Sequence, residues 1–175
     1  LLGAEQSGHM EAVGYDLYCK MLNEAVLDVK GERKDEDSFE TVMDFEVDAY
    51  IPATYIRNEV HKLDMYKRVA GISSEEEYND LSEELVDRYG DIPPAFDSLL
   101  QIALLKAMCH TVYISECKQM GNDIKLTLYP KARLKTELLQ GFLEQRKSNL
   151  KLVLEADPYF VYSLPRKQKP MTPKA

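Results

Sequence analysis

The sequence predicts an α+β domain in which several helices pack on a small mixed or antiparallel sheet, after a long N-terminal connecting helix. Two observations support this class. Apolar residues recur at three- and four-residue steps in some stretches, which indicates amphipathic helices, and at every second position in others, which indicates half-buried strands. Helical and strand stretches do not alternate strictly, so an α+β arrangement fits better than a parallel doubly wound sheet.

The predicted organisation has four parts. Residues 1–30 form the connecting helix, whose apolar positions are Met10, Val13, Leu17, Met21, Ala25 and Val29. Gly31 ends this helix, and residues 31–39 form an acidic linker. The compact domain is expected over residues 40–164, and a disordered basic tail rich in lysine and proline is expected over residues 165–175.

The compact domain is expected to open with a strand over residues 43–51, where apolar and polar side chains alternate until Pro52. The elements predicted after it are, in order, short helices over residues 53–63 and 64–70, helices over 74–89 and 95–110, a β-hairpin over 112–129, a helix over 134–145, and strands over 150–155 and 159–164.

Two of these helices carry clear signals. Ser74 and Glu77 have the spacing of a capping box, which predicts that a helix starts there. Gly90 supplies the left-handed position that commonly follows the last helical residue. Residues 95–110 are apolar on almost every side, and therefore they are expected to form the most buried helix.

Composition and charge limit the function classes. The 175 residues are 45% hydrophobic and 30% charged, which suits one globular domain with one core. There is no secretion signal and no apolar run long enough for a bilayer, and the three cysteines lack C-x-x-C spacing. We therefore expect reduced thiols, a cytoplasmic location and no membrane partner. The net charge of −8, or −12 without the last ten residues, argues against a phosphate backbone and favours a basic protein surface as the partner.

The sequence lacks the phosphate-binding, nucleophile and metal motifs of common enzymes. Its three histidines, His9, His61 and His110, are isolated, and no two carboxylates stand out as an acid and a base. We therefore expect no catalytic site, no metal and no cofactor in this chain. The start at Leu1, without an initiator methionine, suggests a piece of a larger protein, and the lack of catalytic motifs favours an interaction domain over an enzyme.

Two local features stand out, and the first is a glycine-bracketed segment near the start. Gly3 and Gly8 enclose a polar stretch that contains Gln6 and Ser7. The pair of glycines suits a tight turn packed against other backbone. The alternative is an ordinary helix N-terminus in which Ser7 is the cap.

The second feature is an acidic stripe on the helix predicted over residues 74–89. Helical periodicity places Glu77, Asp80, Glu84 and Asp87 beside its buried face. Arg88 lies four residues after Glu84 and can pair with it. The stripe is either a solvated helix face or a docking surface for a basic partner, since clustered carboxylates offer bidentate sites to arginine.

Several stretches resemble one protein family. The segments LLGAEQSGHM at residues 1–10, VGYDLY at 13–18 and MLNEAV at 21–26 are similar to bacterial transcription-repair-coupling factors, at the point where the last helicase motif leads into the C-terminal domain. The resemblance covers about residues 1–100 with specific motifs, and its further matches are residues 51–52, 55–56, 66–70 and 84–90.

This resemblance implies a parent protein that hydrolyses ATP with Mg²⁺ to move on double-stranded DNA, displaces stalled RNA polymerase and recruits excision repair. The motor would lie upstream of this chain. Gly3, Gln6, Ser7 and Gly8 resemble the end of the motor-coupling motif that the family shares with the RecG helicase. The helical hairpin that completes the motif is not in this sequence, so its role carries over to Gln6 only in part.

For the C-terminal domain, the resemblance implies a clamp that packs on the UvrB-like N-terminal module of the same protein and hides the surface that recruits UvrA. Glu84, Asp87 and Arg88 would then be the interdomain docking residues. Three alternatives stay open: a structural buttress of the second motor lobe through residues 1–29, nucleic-acid binding through the basic tail, and a stand-alone enzyme.

Overall fold

The computed structural model describes residues 39–165. The predicted connecting helix, nearly all of the acidic linker and residues 166–175 of the predicted tail lie outside this range. Within it the chain forms, in order, β1 (Val42–Asp44), α1 (Glu59–Ala70), α2 (Glu75–Tyr89), α3 (Pro94–Thr111), β2 (Ile114–Met120), β3 (Asp123–Leu128), α4 (Thr136–Arg146), β4 (Leu150–Val153) and β5 (Tyr159–Ser163).

The five strands form one mixed sheet in the order β1-β2-β3-β5-β4. The first pair, β1 and β2, is parallel, and the other neighbours are antiparallel. One row across the sheet joins residues of every strand, because each is directly opposite the next: Met43, Cys117, Leu126, Phe160 and Leu152. The helices and this mixed sheet confirm the predicted α+β class.

The core consists of two apolar clusters that meet along α3. The first cluster joins α1, α2 and α3, and its fully buried members include Val69, Leu85, Phe96, Leu99 and Leu100. The second cluster lies between α3 and the sheet, and its buried members are Met43, Cys109, Ile114, Cys117 and Leu128. Ile102 of α3 packs against both clusters, so this helix connects the helical layer to the sheet.

The strand predicted over residues 43–51 is wrong in length, since β1 ends at Asp44. The apolar residues after Asp44 pack against the helices and do not extend the strand. Ile51 is buried in the first cluster, and its N–H donates to the Tyr66 hydroxyl at 2.9 Å. Tyr50 N–H donates to the carbonyl of Ala95 at 3.2 Å. Tertiary contacts therefore override the alternating pattern.

The two short helices predicted over residues 53–63 and 64–70 are also wrong, because one helix, α1, replaces them. Residues 53–55 form a turn. Asn58 then caps α1, and its side-chain oxygen accepts a hydrogen bond from the N–H of His61 at 3.0 Å. A capping side chain at position 58 sets the start of the helix, as asparagine does at many helix N-termini.

Helix α3 is the most central helix, as predicted, but it is not buried on every side. Phe96, Leu99 and Leu100 are fully buried, whereas Leu105 is 36% exposed and Met108 is 59% exposed. The predicted β-hairpin, the helix after it and the last two strands all form, with ends within a few residues of those expected. The hairpin turn uses Gly121 at a φ of +62°.

Replacing Leu99 with alanine should lower the free energy of unfolding by about 2–5 kcal/mol, because a fully buried leucine leaves a cavity when it is truncated. Met108→Ala in the same helix is the matched control and should change this free energy by less than about 0.5 kcal/mol. Urea unfolding of both variants measures the difference. Equal losses would contradict the burial pattern of α3.

Candidate docking surface

Helix α2 has a well-defined start. The Ser74 hydroxyl oxygen accepts a hydrogen bond from the N–H of Glu77 at 3.2 Å. The Glu77 carboxylate reaches one residue further back than in the standard capping box, and accepts from Ser73 N–H at 2.8 Å and from its hydroxyl at 2.9 Å. These hydrogen bonds from Ser73 hold the pKa of Glu77 below its usual value.

The opposite end of α2 is fixed by tyrosine and glycine. Gly90 ends the helix at a φ of +83°, in the region that favours glycine. The Tyr55 hydroxyl donates to the carbonyl oxygens of Gly90, at 2.9 Å, and Leu85, at 3.2 Å. Leu81 and Leu85 are buried in the first cluster. Caps at both ends and a buried face together determine which side chains α2 presents to solvent.

One carboxylate on α2 joins two arginines. Arg68 of α1 makes two hydrogen bonds to Glu84, at 2.9 and 2.5 Å, and Arg88 makes one at 2.9 Å. Hydrogen bonds from Arg68 and then from Arg88 lower the pKa of Glu84 to about 2. The same contacts raise the pKa of both arginines. The ion pair of Arg88 with Glu84, expected from the i,i+4 spacing, is therefore present. The second ion pair of Glu84, with Arg68, was not predicted from the sequence.

The three predicted docking residues have different surroundings. Glu84 is half-buried and bound to two guanidinium groups. Asp87 is exposed and has no hydrogen-bond or ion-pair partner within residues 39–165. Arg88 is also exposed, and its guanidinium lies 5.4 Å from the centroid of the Tyr89 ring. Asp87 and Arg88 are therefore adjacent residues that face solvent, and the carboxylate of Glu84, one turn earlier in the helix, binds the guanidinium of Arg88.

The freely exposed carboxylates of α2 form a stripe that only partly matches the predicted one. Its members recur at helical spacing, are exposed and lack an ion-pair partner in the described part of the chain: Glu76, Asp80, Glu83 and Asp87. Of the predicted stripe, Glu77 is held at the helix cap and Glu84 by arginines. The predicted stripe did not include Glu76 and Glu83, although their spacing from Asp80 and Asp87 is equally helical.

A groove of about 320 Å³ runs between the end of α1 and the start of α2. Its charged lining residues are Arg68, Glu77, Asp80 and Glu84. Three carboxylates against one guanidinium make this groove acidic. It can accept a lysine or arginine side chain of a partner, because carboxylates and guanidinium groups form charge-assisted hydrogen bonds.

The described range offers neither a metal site nor a membrane-spanning helix. No cluster of histidine, cysteine and carboxylate side chains suited to a metal occurs among residues 39–165. No described helix is both long and apolar enough to cross a membrane. Cys109 and Cys117 are buried free thiols, and a hydrogen bond with Cys109, together with burial, raises the pKa of Cys117. Gly3, Gln6, Ser7 and Gly8 of the motor-coupling segment lie outside the described residues.

The bond between Arg68 and Glu84 should make stability depend on acid pH. The pKa of Glu84 is about 2 in the folded chain, below the value of about 4.3 for an unperturbed glutamate. Ionised Glu84 therefore stabilises the fold above pH of about 4.3, and this contribution is lost as the pH falls toward 2. In urea unfolding, the stability difference between wild type and Glu84→Gln should be full at neutral pH and shrink in that acid range.

Asp87→Asn is the control for losing a carboxylate from the same helix, and it should unfold at neutral pH within about 0.5 kcal/mol of wild type. A difference between wild type and Glu84→Gln that stays constant from neutral to acid pH would show that Glu84 makes no such contribution.

Comparisons with known proteins place the chain in a family. The sequence model of the TRCF domain family matches residues 45–139. The transcription-repair-coupling factor of Bacillus subtilis is 40% identical over 132 residues, which are 75% of this chain and 11% of that protein. The factor of Staphylococcus haemolyticus is 37% identical over 142 residues, 81% of this chain and 12% of that protein.

A solved structure agrees with these sequence matches. The crystal structure of the C-terminal domain of a transcription-repair coupling factor superposes with a TM-score of 0.56 at 27% identity, and the match covers 74% of this chain and 83% of that one. The chain spans about a ninth of the length of the curated relatives it matches. It belongs to the transcription-repair-coupling factor family and corresponds to the C-terminal domain.

Proposed function

We propose that this domain is an autoinhibitory interaction module. In this proposal α2 docks in cis on a basic surface of the UvrB-like N-terminal module, and the docked domain hides the surface that recruits UvrA. The observation that carries the proposal is the exposed face of α2, where Asp87 and Glu83 lack a partner in the described domain and the acidic groove lies alongside. Unpaired carboxylates at fixed positions suit arginine and lysine side chains.

The surface is polar, which is the property that a reversible switch needs. Interdomain contacts that open and close resemble transient interfaces and are more polar than permanent ones. The two states of such a switch differ by only a few kcal/mol, so a ligand or partner that favours the open state can shift the population. A wholly apolar face would hold the closed state too strongly for this role.

The docking residues have distinct roles in this proposal. Asp87 and Arg88 contact the partner directly, because both are exposed. Glu84 acts as a positioning residue: its carboxylate is already bound to Arg68 of α1 and holds Arg88 toward solvent. Removing Glu84 would therefore disturb both the packing of α1 on α2 and the docking surface, whereas removing Asp87 would affect docking alone.

The parent protein is proposed to carry the catalytic activity. Its relatives are named transcription-repair-coupling factors, and the proposed parent is an ATP- and Mg²⁺-dependent translocase on double-stranded DNA that displaces RNA polymerase. The second candidate is a structural buttress, in which this domain supports the second motor lobe. No described group suggests a reaction catalysed by the domain itself.

Charge reversal on α2 should weaken docking. Glu83→Arg combined with Asp87→Arg places cations opposite the basic partner surface, and binding to the isolated N-terminal module should fall by roughly tenfold or more. The matched control reverses charge on another exposed helix, as Glu137→Arg with Glu144→Arg on α4, and should bind like wild type. Calorimetric titration measures the affinities, and equal affinity of the two double variants would remove the docking surface from α2.

Deletion in the full-length protein separates the two candidate functions. Without residues 40–175, autoinhibition predicts that UvrA binding rises, because the recruiting surface is uncovered, and that ATPase activity does not fall. A buttress predicts that ATPase activity falls, because the motor lobe loses its support, and that UvrA binding stays unchanged. ATPase assays and UvrA pull-downs with the intact and shortened proteins give the answer.

A further inference from the structure

An apolar groove lies between α3 and the residues that follow β1, and its volume is about 410 Å³. Apart from Ser98 and Gln101, the residues that line it are apolar: Phe45, Val47, Ile102, Leu104, Leu105 and Met108. Val47, Leu105 and Met108 are exposed. Because soluble domains seldom leave a contiguous apolar surface open to water, a surface of this kind commonly marks a binding groove.

The unpaired charges beside this groove are negative. Glu46 and Asp48 flank the lining residue Val47 in the chain, are exposed, and have no ion-pair partner within residues 39–165. The lysines of the two adjacent elements, Lys106 of α3 and Lys118 of β2, are already bound to carboxylates of the domain. The groove therefore favours an occupant that combines apolar side chains with positive charge.

Residues 166–175, here called the tail segment, have this combination. Their sequence is RKQKPMTPKA, with four cationic side chains and no acidic one. Pro170 and Pro173 are three residues apart, which places them on the same side of a polyproline II helix, and Lys169 and Lys174 flank them. Apolar grooves with an aromatic wall bind such P-x-x-P segments in several recognition modules, because the extended conformation is favoured before binding.

The tail segment starts at the end of the sheet toward which the groove residues run. Leu164 and Asn122 exchange two hydrogen bonds, at 2.9 and 2.8 Å, which fix the chain at the turn between β2 and β3. In the parallel pair, Asp44 of β1 is opposite Lys118, two residues before the end of β2. The chain that continues from Asp44 into the groove therefore runs toward the same turn.

The distance across the sheet matches the length of the tail segment. In the order β1-β2-β3-β5, three strand spacings, about 14 Å, separate β5 from β1. A polyproline II chain advances about 3.1 Å per residue, so the stretch from Pro165 to Pro170 spans about 16 Å. Pro170 can therefore reach the side of the sheet where the groove lies, and Pro173 extends about 9 Å further.

We propose that the tail segment folds back on its own chain and occupies the groove between α3 and residues 45–48. Its two prolines and Met171 contact the apolar lining, and the lysines that flank the prolines lie beside Glu46 and Asp48. The composition of the tail segment offers no apolar core of its own, so an ordered position depends on a surface elsewhere in the domain. This goes beyond the proposed docking of α2 and uses no residue of that helix.

Photo-crosslinking of the whole 175-residue chain tests the proposal, with a diazirine analogue of methionine at position 171. Peptide mapping after digestion should place the crosslinks in residues 45–48 and in residues 98–108 of α3. A mixture of isotopically light and heavy chains distinguishes crosslinks within one chain from crosslinks between two copies, and the crosslinks within one chain should predominate.

Two double variants should weaken this contact for different reasons. Glu46→Lys with Asp48→Lys replaces attraction by repulsion, and the crosslink yield should fall by about threefold or more, since two exposed ion pairs are lost. Pro170→Gly with Pro173→Gly keeps every charge but leaves the undocked tail segment more flexible, and the yield should fall by a similar factor of about three.

The matched control, Glu137→Lys with Glu144→Lys, makes the same charge change on α4 and should keep the wild-type yield. Thermal unfolding of every variant checks that the fold is kept. Crosslinks spread evenly over the domain would overturn the proposal, and so would crosslinks mainly between chains, which would make a second copy the occupant. An equal loss in the α4 control, or no loss in the proline variant, would reduce the contact to unspecific attraction and overturn it as well.

Discussion

The position of α3 between two apolar clusters is the constraint on which the rest of this domain depends. Its fully buried side chains, such as Phe96 and Leu99, pack against α1 and α2, and Cys109 packs against the sheet. Ile102 touches both clusters. Because one helix serves both layers, the helical layer cannot shift relative to the sheet without opening a core. The proposed docking face on α2 therefore has a fixed position relative to the sheet.

The orientation of α2 follows from its packing in the first cluster. Leu81 and Leu85 enter the first cluster, so the opposite side of the helix must face solvent. Glu84 lies at the boundary between these sides, where Arg68 of α1 and Arg88 bind it. Glu84 therefore connects α1 to α2 through its ion pairs. The next carboxylate along the helix, Asp87, remains available to a partner.

Sequence periodicity was sufficient for the fold class, for α2 and its caps, and for the hairpin, because these depend on local patterns and turn residues. It failed for residues 45–51. Their alternation does not indicate a longer strand, because Phe45 packs against the second cluster and Ile51 is buried in the first. The bond of Glu84 with Arg88 was readable from i,i+4 spacing. The bond with Arg68 was not, because it depends on how α1 packs on α2.

The proposed autoinhibition requires that α2 docks on the N-terminal module in the intact protein. Photo-crosslinking tests it most directly, with a photoreactive residue in place of Val86, which is 49% exposed on α2 and leaves every carboxylate intact. The matched position is Leu138 on α4, which is 70% exposed. Docking through α2 predicts crosslinks from position 86 to the N-terminal module and none from position 138. Crosslinks from position 86 only to the motor, or equal yields from both positions, would contradict it.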